Sequence, residues 1–346
     1  MYFKPDARIS DLEYLRTYNV FKYGDIAFEG NKSKNYANGR FVENTIGDGI
    51  VSHVFNVLRP ISPKHNLEYW KYAINNENVM GRILARCTKK TTMMTNLVTA
   101  DFLEQEICCP IELEQDKIAF FLSLIEKRLA AQEQLVDALK KYKRGAINNI
   151  FNGYTFDKSV KECLLSDVAS FHQGLTYSPE DVSDRGYLVL RSSNIQNGRL
   201  SFKDNVYVKK SISESLFVQK NDVLMCVRNG SKQLVGKTAI VNQPYPNMTW
   251  GAFMMIIRSA LKNTFVYHYL NSDSFFNQVF KDSGTATINQ ITKGTLNECR
   301  LFMPNPEQQE RICQYLDLLD GKLQKEEDCL ESLKALKQSL LQHLFI

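Results

Sequence analysis

PIELEQDKIAFFLSLIEKRLAAQEQLVDALKKYKRGAINNIF (residues 110–151) returns, without a gap, as PNPEQQERICQYLDLLDGKLQKEEDCLESLKALKQSLLQHLF (residues 304–345), an offset of 194. A repeat of this length, ending one half of the chain and then the other, points to a molecule built twice for a target that is itself presented twice. Each copy reads as one long helix with an apolar seam spaced alternately four and three residues apart. In the first copy the seam is Ile118, Leu122, Ile125, Leu129, Gln132, Val136, Leu139, Lys143, Ala146 and Ile150. In the second it is Ile312, Leu316, Leu319, Leu323, Glu326, Leu330, Leu333, Lys337, Leu340 and Leu344. An apolar period of 3.5 lets two helices keep one face together as they supercoil. Both seams are interrupted at the same two places, Gln132/Glu326 and Lys143/Lys337, and such polar positions fix register or direction at a cost in stability. Asn305 suits a helix cap and Pro306 the first helical position. Each helix is expected to be about 60 Å long. Duplication within one chain favours the two helices pairing with each other, antiparallel.

The chain has 346 residues, 44% of them hydrophobic, enough for two or three domains with real cores. No apolar run approaches membrane-spanning length, and the start, MYFKPDARISDLEY, lacks the pattern of a signal peptide. Eight cysteines without a C-x-x-C pair, and five scattered histidines, suggest neither a zinc site nor a disulfide framework. Reduced cysteines in the cytoplasm are the economical expectation.

Net charge is +5, unevenly spread. Between Val223 and Ser272 there is no acidic residue, but Arg228, Lys232, Lys237, Arg258 and Lys262 fall there. A similar gap from Glu77 to Asp101 holds Arg82, Arg86, Lys89 and Lys90. Basic tracts of this kind suit an anionic partner, because each cation docked on a phosphate releases counterions; ordinary surface composition is the rival explanation. The halves are also related before their helices: VFKYGDI (20–26) matches FVQKNDV (217–223), IVSHVFNVLR (50–59) sits where WGAFMMIIR (250–258) does, and MTNLVTADF (94–102) corresponds to TINQITKGTL (287–296). These are short alternating runs of β type, with helical stretches such as 264–280 between them.

The repeated P-x-x-E/Q-Q-x-x-I…L-x-x-L-K-x-x-K…L/I-F pattern resembles the conserved regions of specificity subunits of type I restriction–modification enzymes, over nearly the whole chain. LSDVASFHQGLTYS (165–178), GYLVLRSSNIQNGRL (186–200) and KNDVLMCVRNGS (220–231) resemble that family too. The resemblance implies an α+β protein in which two mixed target-recognition domains alternate with two long helices paired as an antiparallel coiled coil. Its expected domains are 1–109 and 153–303 for recognition, and 110–152 and 304–346 for the helices. It implies that each domain reads one half of a split sequence in double-stranded DNA. It also implies methyltransferase subunits that bind S-adenosylmethionine, and a restriction subunit that uses ATP and Mg. This chain is expected to hold no cofactor and no metal. It has no G-x-x-x-x-G-K-[ST] for a nucleotide, and NPEQ at 305 lacks the second proline and aromatic of an amino-methyltransferase. A non-catalytic subunit follows; a coiled-coil scaffold, or a non-functional recombined fragment of a specificity subunit, stands as the alternative. The second domain has about 60 residues ahead of Lys220 and the first about 20 ahead of Tyr23, so the chain is expected to enter its first recognition domain partway through.

Base readout needs side chains with paired donors and acceptors. In the second half these cluster in Arg191, Ser192 and Asn194; in Arg228, Asn229 and Lys232, with Lys237 following; and in Thr287, Asn289, Gln290 and Lys293. In the first half the matching tracts carry Lys32, Lys34, Lys89 and Lys90, with Arg82 and Arg86 as phosphate contacts. Asn and Ser in glycine-containing segments also serve as plain turn formers.

Overall fold

The computed structural model describes residues 12–33, 36–62, 65–91, 94–152, 160–243, 245–281 and 290–345. It divides into two units, one of residues 1–135 with 326–346, the other of residues 136–325.

In the first unit a one-turn helix, α1 (Leu12–Leu15), leads to β1 (Asn19–Phe21), which pairs antiparallel with β4 (Gly49–Val51). The central sheet places β2 (Ile26–Glu29) between β3 (Arg40–Glu43) and β5 (Val57–Leu58), all antiparallel. Helices α2 (Leu67–Ala73) and α3 (Glu77–Cys87) follow, each started by an asparagine cap, Asn66 and Asn76. A hairpin, β6 (Thr88–Lys90) with β7 (Thr95–Leu97), and α4 (Thr99–Leu103) complete the layer. Met80, Ile83 and Leu84 of α3 meet Ile26, Phe28 and Phe41 of the sheet. Helix α5 (Glu112–Phe151) lends its first part to this unit and its last part to the second.

The second unit opens with β8 (Lys161–Leu164), α6 (Leu165–Val168) and β9 (Ala169–Gln173). One sheet gathers β10 (Val182–Ser183), β14 (Tyr207–Val208), β11 (Tyr187–Leu190) and β17 (Met248–Trp250) in that spatial order, with β11 and β17 parallel; β12 (Ile195–Gln196) and β13 (Arg199–Leu200) form a separate hairpin. The central sheet runs β16 (Thr238–Ile240), β15 (Val223–Cys226), β18 (Met254–Ser259) and β9, all antiparallel. The helical stretch expected over 264–280 is two helices, α7 (Phe265–Tyr269) and α8 (Asp273–Val279). Ser272 breaks it: its backbone is extended, and its hydroxyl accepts the Phe275 N–H at 3.2 Å, starting a new helix. Helix α9 (Lys293–Glu298) and β19 (Arg300–Met303), paired with β8, lead into α10 (Pro306–Leu344).

The long helices run antiparallel within each unit. In the first, Leu122 and Leu129 of α5 are buried, Ile118 and Ile125 partly so, and Leu333 of α10 lies on the same seam. In the second, Leu316 is fully buried, with Leu139, Ile312, Leu319 and Leu323 partly covered. The polar interruptions are all answered. The Gln132 amide donates to the Glu326 carboxylate at 2.6 Å and to its backbone carbonyl at 3.0 Å. Lys337 donates to Glu126 at 2.8 Å in the first unit, and Lys143 pairs with Asp320 in the second. Glu126 and Asp320 are repeat equivalents, as are Lys143 and Lys337, so one ion pair is made twice with helix roles exchanged. The closing phenylalanine of each copy is buried in its own unit. Phe151 lies 5.1 Å from Phe265, and Phe345 lies 5.4 Å from Tyr69.

Leu129→Asp buries an unpaired charge in the seam and should destabilise the first unit by roughly 3 kcal/mol, read as a drop in the thermal midpoint of the helical circular-dichroism signal. Burial by itself raises the Glu126 carboxyl, but the Lys337 and Lys71 ammonium groups outweigh it and hold the group down to about 2. A folded value below the unfolded one stabilises above the ordinary carboxylate range and is lost as pH falls through about 2. Glu126→Gln should therefore shrink the loss of stability between about pH 4.5 and pH 2, measured by urea titrations at successive pH values.

Candidate nucleic-acid interface

The central strands hold the candidate loops through a device present in both units. Asp25 and Asp222 are each about 1% exposed, immediately before β2 and β15. Each carboxylate accepts two bonds from one guanidinium: Arg59 to Asp25 at 2.7 and 2.6 Å, Arg258 to Asp222 at 2.7 and 2.8 Å. Each also accepts a backbone N–H from three residues earlier, Lys22 or Gln219, at 2.7 Å. The tight turn needs a left-handed residue, supplied by Gly24 (φ 84°) and Asn221 (φ 71°). The Arg59 guanidinium beside Asp25 holds its carboxyl below the usual range. Arg258, a cation of the acid-free tract, is thus paired with the acid that stands just before that tract.

Beyond β15 the chain makes a loop closed at its base by Gly236 N–H to Cys226 O (2.8 Å) and Cys226 N–H to Lys237 O (2.9 Å). The loop carries Arg228, Asn229 and Lys232 and ends at Lys237. Three segments meet it. Asn229 donates to the Ser192 hydroxyl at 3.2 Å, joining the loop to the turn after β11. Arg228 bridges Gln290, and Ile291 N–H reaches Val227 O at 2.8 Å. From the β17–β18 connection, Phe253 accepts the Val227 and Arg228 N–H groups on its carbonyl, and its ring lies 5.3 Å from the Arg228 guanidinium. Arg228, Lys232, Lys237, Gln290 and Lys293 are exposed, and no ion pair joins these cations to an acid among the described residues. Phe253 is 58% exposed. An exposed aromatic under a free guanidinium, among polar loops, is a surface suited to bases and phosphates.

The first unit repeats this placement. Asn31 bridges Met94, and Thr95 N–H donates to Gly30 O at 2.9 Å, so the loop after β2 lies along the β6–β7 hairpin. Gly30 is required here: a Cβ would stand 1.9 Å from the Thr95 carbonyl oxygen. Exposed Lys32, Lys89 and Lys90 are carried on these segments. Arg82 and Arg86, one turn apart, occupy the exposed side of α3, opposite its buried Ile83 and Leu84.

One expected contact is corrected, and others are engaged within the chain. Asn194 is fully buried: its side-chain oxygen accepts the Arg191 N–H at 2.9 Å and its amide donates to the Ser201 and Asp204 carbonyls, so it builds the turn and is out of reach of a base. Arg191 is paired with Asp204 at 2.9 Å. Asn229 is held at both ends: its amide donates to the Ser192 hydroxyl at 3.2 Å, and its side-chain oxygen accepts the Ser231 N–H at 3.0 Å. Lys34, Thr287 and Asn289 lie outside the described residues. Phe253 was missed because a single phenylalanine in an apolar run carries no surface signal. The Asp–Arg pairs were foreshadowed by the matched KYGDI/QKNDV and NVLR/MIIR segments. His268, Asp317 and Asp320 also converge in the second unit. Within that group Lys143 pairs with Asp320, and the His268 ring nitrogen lies 2.8 Å from an Asp317 oxygen.

No helix among the described residues is long and apolar enough to cross a membrane. The family described as the type I restriction modification DNA specificity domain matches residues 158–335. The chain is similar to the EcoKI specificity subunit of Escherichia coli (strain K12), 28% identical over 188 residues, which cover 51% of this chain and 40% of that protein. It is similar by the same measures to the StySPI specificity subunit of Salmonella potsdam. The match thus spans 40% of the length of either curated relative. Among solved structures, the S subunit of a type I restriction–modification system from M. genitalium has a TM-score of 0.57 at 19% identity, covering 95% of this chain and 84% of that one. A structure on complex assembly and conformational transition of the type I system gives 0.61 at 17% identity, covering 94% and 83%. At these identities the structures speak for the fold.

Removing the carboxylate that anchors the second unit's loop should be costly. Asp222→Ala leaves a mostly buried guanidinium without its partner, and a loss of about 3–5 kcal/mol is expected, measured by urea unfolding followed through the buried Trp250.

Proposed function

Because the chain belongs to the type I restriction–modification DNA specificity family, we propose that it is a non-catalytic, sequence-reading component that binds double-stranded DNA through the loop surfaces beyond β2 and β15. The observation that carries this reading is the meeting of Arg228, Lys232, Gln290 and the exposed Phe253 on one loop surface, with cations not neutralised by protein acids. Lys232, Lys237 and Lys293 supply phosphate contacts, which set affinity; Arg228 offers the paired donors that suit guanine, and Gln290 the donor and acceptor that suit adenine. The same placement of Lys32, Lys89 and Lys90 in the first unit supports a target in two parts, one for each unit.

The chemistry belongs to partners. Methyltransferase subunits would supply S-adenosylmethionine-dependent modification, and a restriction subunit the ATP- and Mg-dependent step. The coil offers them apolar side chains left outside its own seam, Phe121, Leu124 and Leu135, each 40–46% exposed on α5. Such residues on a helix surface are anchors for another helix.

Salt titration tests the reading. Anisotropy of a labelled duplex carrying the target should show affinity falling steeply with salt, and Arg228→Ala and Lys232→Ala should each reduce the log–log slope by about 0.9. Arg228→Ala should also relax base preference, whereas Lys232→Ala should weaken all sequences alike. Slopes unchanged in both variants would remove this surface from the interface.

A further inference from the structure

The turns that lead into β5 and β18 are built alike. Before β18, Met254 N–H donates to Gly251 O at 2.8 Å; before β5, Phe55 N–H donates to Ser52 O at 3.0 Å. The strands that follow share one register. Ile256 faces Leu224 and Ile257 faces Val223, as Val57 faces Ala27 and Leu58 faces Ile26. The third position of the turn is therefore Phe253 in one unit and Val54 in the other. Phe253 stands at the base of the loop beyond β15, its carbonyl accepting the Val227 and Arg228 N–H groups at 3.0 and 3.2 Å. Continued from Phe28 N–H on Asn56 O (2.9 Å), the first unit's register sets Val54 opposite Gly30, at the base of the loop beyond β2.

Both side chains face solvent: Phe253 is 58% exposed and Val54 55%. The run after Phe253 is not, since Met254, Met255, Ile256 and Ile257 are all buried. The third position of a turn ordinarily goes to glycine, asparagine, aspartate or serine, whose backbone and hydration suit it. One exposed apolar residue there would need no explanation. The same choice at the same point of both units, beside loops that carry exposed cations, marks a contact surface. Two kinds of base contact use such a side chain. A ring can stack on a base plane, and any apolar group can pack on the 5-methyl of thymine in the major groove. Only the second is open to phenylalanine and valine alike. Stacking is also hindered at Phe253, where the Arg228 guanidinium lies over the ring at 5.3 Å.

We propose that Phe253 and Val54 are specificity determinants, each packing on the 5-methyl group of a thymine, one in each half of the target. This contact rests on DNA binding by the two loop surfaces and names the base chemistry they read. Burying a methyl group against an apolar side chain removes surface of both from water and asks for no hydrogen bond. Cytosine offers no methyl there and presents an amino donor instead, so the contact separates the two pyrimidines. In the second half the thymine adjoins the base read by Arg228, because guanidinium and ring are in contact.

The intact chain is first used to select duplexes from a randomised pool. Each thymine of the enriched duplex is then replaced singly by uracil, which removes only the methyl group. A thymine in each half is expected to respond, with binding of the unaltered protein weakened by about threefold. Phe253→Ala should abolish the response in one half and Val54→Ala in the other, with circular-dichroism spectra unchanged, as both residues are exposed. Phe253→Leu, apolar without a ring, should keep the response. An enriched duplex in which no uracil substitution matters overturns the proposal and leaves DNA reading standing. So does a response that leucine abolishes as fully as alanine, which would assign a ring stacked on a base. Failure to enrich any sequence removes the DNA reading, and the proposal with it.

Discussion

Everything in this protein is arranged around the need of two equivalent helices to bury one apolar face each. Neither copy could bury its seam in water alone, since isolated helical stability comes mainly from packing. Running the copies antiparallel solves this and also satisfies the polar interruptions. Lysine at 143 and 337 meets a carboxylate at 320 and 126, and Gln132 meets its own repeat equivalent, Glu326. A parallel or shifted pairing would leave these groups buried without partners, a penalty larger than most single contacts contribute. The ion pairs therefore select the direction, while the leucines supply the adhesion.

Each helix is then locked to its unit at its far end. Phe151 packs on α7 and Phe345 on α2, and Asn76 donates to the carbonyl of Phe345 at 2.8 Å. Beside these anchors, the Asp25–Arg59 and Asp222–Arg258 pairs fix the turn that launches the central strand of each sheet. Those pairs are two-toothed and each rests on a buried carboxylate, so the loop beyond the strand starts from a defined place. A loop that presents long, flexible cations gains from such a base, because less freedom remains to be lost on binding.

The candidate interface shows why residue type alone is a weak guide to contact. Asparagine, serine and arginine at 191–194 have the right groups for base edges, yet Asn194 and Arg191 spend them on the chain that follows. Asparagine serves turns and bases with the same atoms. Lysines have no such local outlet, and Lys32, Lys89, Lys90, Lys232 and Lys237 are all exposed. Phe253 entered the surface only through the geometry of the β17–β18 connection, which turns one residue of an otherwise buried run toward Arg228.

The sequence by itself determined the duplicated helix, its seam, its polar interruptions and the kinship of the two halves, because these are periodic or repeated and each is a local property of the chain. It also determined which loops are basic and free of acids. Only the tertiary structure decided which carboxylate answers which lysine, that residues 264–280 break at Ser272, that Asn194 is buried, and that β9 joins the central sheet of the second unit beside β18. Those outcomes depend on partners far apart in the chain, such as Lys143 with Asp320 or Ile257 with Phe171. Pairings of that separation are fixed by the sum of packing and desolvation over the whole unit, and no local pattern encodes that sum.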